Sequence, residues 1–132
     1  MFGLFKKPSI EKTLRHSVQI WNSLSESDKI KSATNISGFC SIINAECDTR
    51  KSVFFKIAEM RVGVVKEFNV KSENHPLIMQ LNIIGDYFYS AWNEPNLFFE
   101  SMSLMVQVEG TLDDATEVSV FKESIRKISA LE

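Results

Sequence analysis

Histidines His16 and His75, cysteines Cys40 and Cys47, and the adjacent aspartates Asp113 and Asp114 are the residues whose types could carry chemistry in this chain. Their spacing argues against most of it. Cys40 and Cys47 fall on one predicted helix, where seven residues span about 10.5 Å. That exceeds both the reach of a disulfide and the roughly 4 Å between two thiolates on one zinc. A zinc site built from His16, Cys40, Cys47 and His75 is therefore excluded on geometry, and no metal is expected. There is no Cys-x-x-Cys, His-Glu-x-x-His, Glu-x-x-His or glycine-rich phosphate loop, and no serine sits in a Gly-x-Ser-x-Gly turn. Glu46 and Asp48 flank Cys47 and oppose a thiolate. His75 precedes Pro76 at a helix start, where a polar residue caps, and Asp113 and Asp114 suit a helix N-terminus. With no nucleophile–base pair and no metal spacing, the expectation is a protein without catalysis and without a cofactor.

The elements that carry these residues read as helices. The chain has 132 residues, of which 44% are hydrophobic and 24% charged, which suits one domain with its own core. Residues 1–8, MFGLFKKP, form a short apolar and basic segment. Its lysines follow its apolar residues, the reverse of a secretory leader, and two lysines on so short an anchor do not hold a membrane stably. With reduced thiols and no long apolar window, a cytoplasmic location is expected.

Apolar residues recur at helical spacing almost throughout. Ser9 caps a first helix with Ile10, Leu14, Trp21 and Leu24 on one stripe. Ser25 and Asp28 open a second, with Ala33, Ile36, Phe39, Cys40, Ile43 and Cys47 on its apolar face and Gly38 as a point of breaking or bending. A third runs from about Thr49 to Phe68. Pro76 opens a fourth, with Leu77, Leu81, Ile84, Phe88 and Trp92 in register, and Pro95 opens a fifth that ends at Gly110. The fifth is apolar almost all round, which places it at the centre or under another chain. Thr111, with Asp114 three residues on, caps the sixth. The segments RVGVV and LMVQVEG could be strands by composition but continue the helical stripes. The fold class is all-α, a compact single-domain bundle of about six helices with short loops.

Two features bear on function. Residues 1–66 carry net charge +5 and residues 67–132 carry −7; Ser72 to Phe121 contains no Lys or Arg but eight acids. Either the two halves neutralise each other or one face is strongly negative. The same segment holds GDYFYSAWNEPNLFF, with six of the fourteen aromatic residues. On a helical wheel Phe88 and Trp92 are core, and Tyr87 and Tyr89 lie on opposite flanks. Acids around aromatic anchors make a protein-binding patch, here Tyr87, Tyr89, Asp86, Glu94 and Glu100. The expected activity is that of an inhibitor, immunity or antitoxin-like factor that masks a basic partner protein; such a face repels nucleic acid. One alternative is a bundle holding an apolar or anionic small molecule, with Arg61, Tyr87, Tyr89 and Trp92 at the pocket. Another is a structural homodimer built on the fifth helix.

Overall fold

A computed structural model describes residues 9–132, so the segment 1–8 lies outside the described residues. It contains six helices and, among the described residues, no strand: α1 (Ile10–Ser23), α2 (Glu26–Glu46), α3 (Arg50–Phe68), α4 (Pro76–Asn93), α5 (Pro95–Thr111) and α6 (Ala115–Ser129). RVGVV and LMVQVEG are both helical, within α3 and α5.

Side chains set the boundaries. Ser9, Ser25 and Thr49 accept hydrogen bonds from the backbone N–H groups of Lys12, Asp28 and Ser52, and Ser52 returns a second bond to complete a capping box at α3. His75 caps α4 through Nδ1, which accepts from Leu77 N at 3.2 Å. Asn69 ends α3 in the left-handed region at φ 51°, a conformation asparagine tolerates. Three expectations fail in detail. Asp114, not Thr111, caps α6, its carboxylate accepting from Glu117 N at 3.0 Å, while Thr111 is still in α5 and bonds back to the Gln107 carbonyl. Helix α5 runs past Gly110 to Thr111, with Leu112 as its C-cap. Helix α2 passes through Gly38 without a break.

The hub is α4. It packs against α1, α2, α3 and α5, and every residue from Ile78 to Ile84 is buried. Helix α6 packs on α2, and α3 packs on α4 and lightly on α2. The sequence placed α5 either at the centre or under another chain, and the centre is not where it lies. It lies to one side, with Leu104, Met105 and Val108 inward and Phe99 and Val106 in solvent. Two polar side chains enter the hub, Gln80 and Asn82, and Asn82 is matched by an Arg61 Nη2 donor from α3. No helix among the described residues is long and apolar enough to cross a membrane.

Candidate functional site

The aromatic stretch divides around α4. Phe88 is fully buried, and its ring meets Tyr87 at 5.1 Å and Trp92 at 5.3 Å. Tyr89 leaves on the α3 side, edge-on to Phe54 at 6.1 Å. Trp92 meets the same Phe54 at 5.6 Å, and the Arg50 guanidinium lies over its indole at 5.0 Å. Trp92 is thus a half-buried edge of the core rather than its interior. Tyr87 leaves on the α5 side, against Phe98 at 5.4 Å, and burial raises its hydroxyl pKa. The fold brings Tyr89 and Trp92 together through Phe54 and keeps Tyr87 apart from them.

The acids separate as well. Asp86 is half-buried, with the Thr13 hydroxyl of α1 at 3.0 and 2.9 Å from its two oxygens, so it helps to hold α1 on α4. Glu94 is the junction residue between α4 and α5 and makes no side-chain cap bond. Glu100 is exposed on α5. Among the described residues, none of Glu73, Glu94, Glu100, Asp113 and Asp114 has a Lys or Arg nitrogen within 4.0 Å. The described ion pair in this segment is Glu109 with Lys122 of α6, at 3.8 Å. No described pair joins a cation of residues 9–66 to Glu73, Glu94, Glu100, Asp113 or Asp114.

The residue that sequence reading passed over is Phe99. It is 77% exposed, the most exposed large hydrophobic side chain among the described residues, and stands next to Glu100. Asn96, Phe99, Glu100, Ser103, Val106, Gln107 and Gly110 are all exposed and fall within an arc of about 120° on the outer side of α5. One edge of the arc is apolar, Phe99 and Val106; the other is polar, Glu100 and Gln107. The signal was available in the sequence: the polar residues Glu100, Ser103 and Gln107 lie on the Phe99 side of the helical wheel, and Phe98 falls opposite them.

Val106 also borders an open groove between α5 and α6 of about 230 Å³. Met102, Met105, Phe121 and Ile125 supply its apolar lining, Tyr87 reaches it from α4, and Lys122 and Arg126 stand at its α6 side. A second, shallower depression of about 520 Å³ shares Lys122 and Arg126. Neither is enclosed, and neither is lined by Arg61, Tyr89 or Trp92. Arg61 is engaged inside, with Nη2 donating to Asn82 and Nε buried without a partner.

The thiols are both free. Cys40 is fully buried and burial pushes its pKa far up. Cys47 is only half-buried, a correction to its expected place inside the core: it caps the end of α2, and its thiol donates to the Ser52 carbonyl at 3.5 Å. No group of three or more His, Cys, Asp or Glu among the described residues could hold a metal.

Comparison of the chain with models of protein families, with curated proteins and with solved structures finds no match, so any functional reading rests on this geometry.

Proposed function

We propose that the protein is a non-catalytic binding factor that masks a basic partner protein through the α4–α5 corner and the outer face of α5. Phe99 is the anchor and Glu94 and Glu100 are the steering charges. The observation that carries this reading is an aromatic ring 77% in solvent, beside acids that no described cation pairs. A ring of this kind gains by burial against a partner, and unpaired carboxylates speed the approach of a positive surface. The mode of action is steric occlusion, in the manner of an inhibitor, immunity or antitoxin-like factor. Of the residues singled out in the sequence, Glu94 and Glu100 belong to this face, Tyr87 lies behind it, and Asp86 and Tyr89 serve α1 and α3 contacts.

The test is affinity capture with the wild-type protein, followed by kinetics on the captured partner across a salt series. The expected partner is basic. Reversing Glu94 and Glu100 to Lys lowers the on-rate, and Phe99→Ala raises the off-rate. A partner whose on-rate ignores salt, or whose affinity ignores Phe99→Ala, overturns the reading.

A second reading rests on the groove between α5 and α6. Its apolar lining, with Lys122 and Arg126 beside it, fits an apolar molecule with an anionic end. Binding of a long-chain carboxylate that is lost in Lys122→Glu/Arg126→Glu, with Phe99→Ala without effect, would favour that reading over the first.

A further inference from the structure

Helix α3 has two apolar faces and packs one of them. Val53, Ile57, Met60 and Val64 turn toward α4, with Val53, Ile57 and Val64 fully buried. On the other side Phe55 is 65% exposed, Val62 55% and Val65 40%, with Ala58 exposed between them. Phe68 at 55% and Tyr89 at 41% extend the patch. Ser52, Lys56, Glu59, Gly63, Lys66 and Glu67 form one broad polar arc, and beyond the first turn Arg61, engaged with Asn82, is the polar residue on the rest of the circumference. A helix apolar over so much of its girth is normally covered on both sides.

The exposed residues have a register. Phe55, Ala58, Val62 and Val65 follow one another at steps of three, four and three, the spacing of a seam between two helices. Lys51 and Asn69 hold the next seam positions, so the stripe is closed by a polar residue at each end.

We infer that α3 pairs with α3 of a second copy of this chain, antiparallel and about a two-fold axis, to form a closed dimer. Antiparallel pairing centred on the seam sets Phe55 against Val65 of the second copy and Ala58 against Val62. Large side chains then meet smaller ones, and no layer opposes phenylalanine to phenylalanine. Glu59 is the residue this arrangement brings near its own counterpart, and Lys56 already holds it at 2.9 Å, which relieves the like charge. The area suffices. The exposed parts of Phe55, Val62, Val65, Phe68 and Tyr89 amount to on the order of 400 Å² per copy. Two copies with a polar rim then bury about 1,200 Å², the lower bound of specific interfaces. An isologous contact uses the same patch twice and leaves none of it open, whereas a one-sided contact on a different surface of the second copy would leave one α3 face bare at each end.

Sedimentation equilibrium from the low to the high micromolar range tests the inference. The expected result is a monomer–dimer equilibrium. Val62→Glu raises the dissociation constant by more than about 100-fold, because the seam then buries two carboxylates without partners. Phe55→Glu does the same, and Phe99→Glu does not. Circular dichroism at a concentration where the wild type is monomeric gives all three the wild-type melting temperature, since each side chain is more than half exposed in the monomer. In a Cys47→Ser background, Ala58→Cys/Val62→Cys forms an intermolecular disulfide that stops at the dimer. A monomer over the whole range, a dimer that survives Val62→Glu and Phe55→Glu, or a ladder of higher species on cross-linking would each overturn the inference.

Discussion

Cys40 should make the stability of the protein fall with pH in a way that one substitution removes. Its thiol is fully buried and burial pushes its pKa far up, so it stays protonated in the folded chain throughout the alkaline range. In the unfolded chain the same thiol ionises near pH 8.5. Above that pH the unfolded state has lost a proton that the folded state keeps. Because stability rises with pH only where the unfolded state binds more protons, here it must fall. The contribution is complete below pH 8.5 and declines above it by about 1.4 kcal/mol per pH unit from this group alone. Between pH 8.5 and 10 the loss is about 2 kcal/mol, or roughly 6–10 °C in melting temperature for a chain of this size. Cys47, half-buried and hydrogen-bonded to Ser52, adds a smaller loss of the same sign. The assay is urea denaturation under reducing conditions at several pH values, on wild type and Cys40→Ala. The alanine variant starts lower, because it leaves a cavity, but its curve should be flatter above pH 8.5 by the Cys40 share. Parallel curves would refute the reasoning, since they would mean that Cys40 ionises as readily in the folded chain as in the unfolded one.

Other outcomes follow from the packing. Phe88→Ala should cost about 3–5 kcal/mol and Trp92→Ala only about 2, because Phe88 is inside and Trp92 is an edge; denaturant titration of both checks the order. Asp114→Ala should cost about 1 kcal/mol by removing the α6 cap, whereas Thr111→Ala, which removes no cap, costs less, as thermal melts will read. Asn82→Leu should destabilise the fold by about 2–4 kcal/mol through the Arg61 guanidinium it strands, and Asn82→Leu/Arg61→Met should recover most of the loss.

The sequence disclosed periodicity well and position poorly. The stripes of α1, α2 and α4, the caps at Ser9, Ser25 and His75, and the divergence of Tyr87 from Tyr89 are local geometry, written in spacings of three and four residues. What spacing cannot express is which of two strongly apolar helices sits at the centre. Helix α5 showed little polar surface and so read as central or covered by another chain; α4 carries Gln80 and Asn82, yet it is buried from Ile78 to Ile84 because α1, α2, α3 and α5 each present a face to it. The candidate site suffered in the same way. Asp86 reads as one more acid in a cation-free segment, and its Thr13 partner lies 73 positions away. Phe99 was counted in the aromatic stretch without a place of its own, and a single helical step of 100° separates it from Phe98, which packs on Tyr87.

The central place of α4 also bears on how the chain acquires its shape during synthesis. Helices α1, α2 and α3 leave the ribosome first, and among the three only α2 and α3 share a substantial contact, a light one at their joining corner. Each of them finds its main apolar partner in an element made later: α1 and α3 in α4, and α2 in α4, α5 and α6. Until about residue 93 has emerged, a nascent chain therefore holds three amphipathic segments with nothing suitable to close on. Consolidation should come late and abruptly, as the arrival of α4 gives all three a common surface. Over that interval the exposed stripes are a natural substrate for chaperones that hold apolar segments apart.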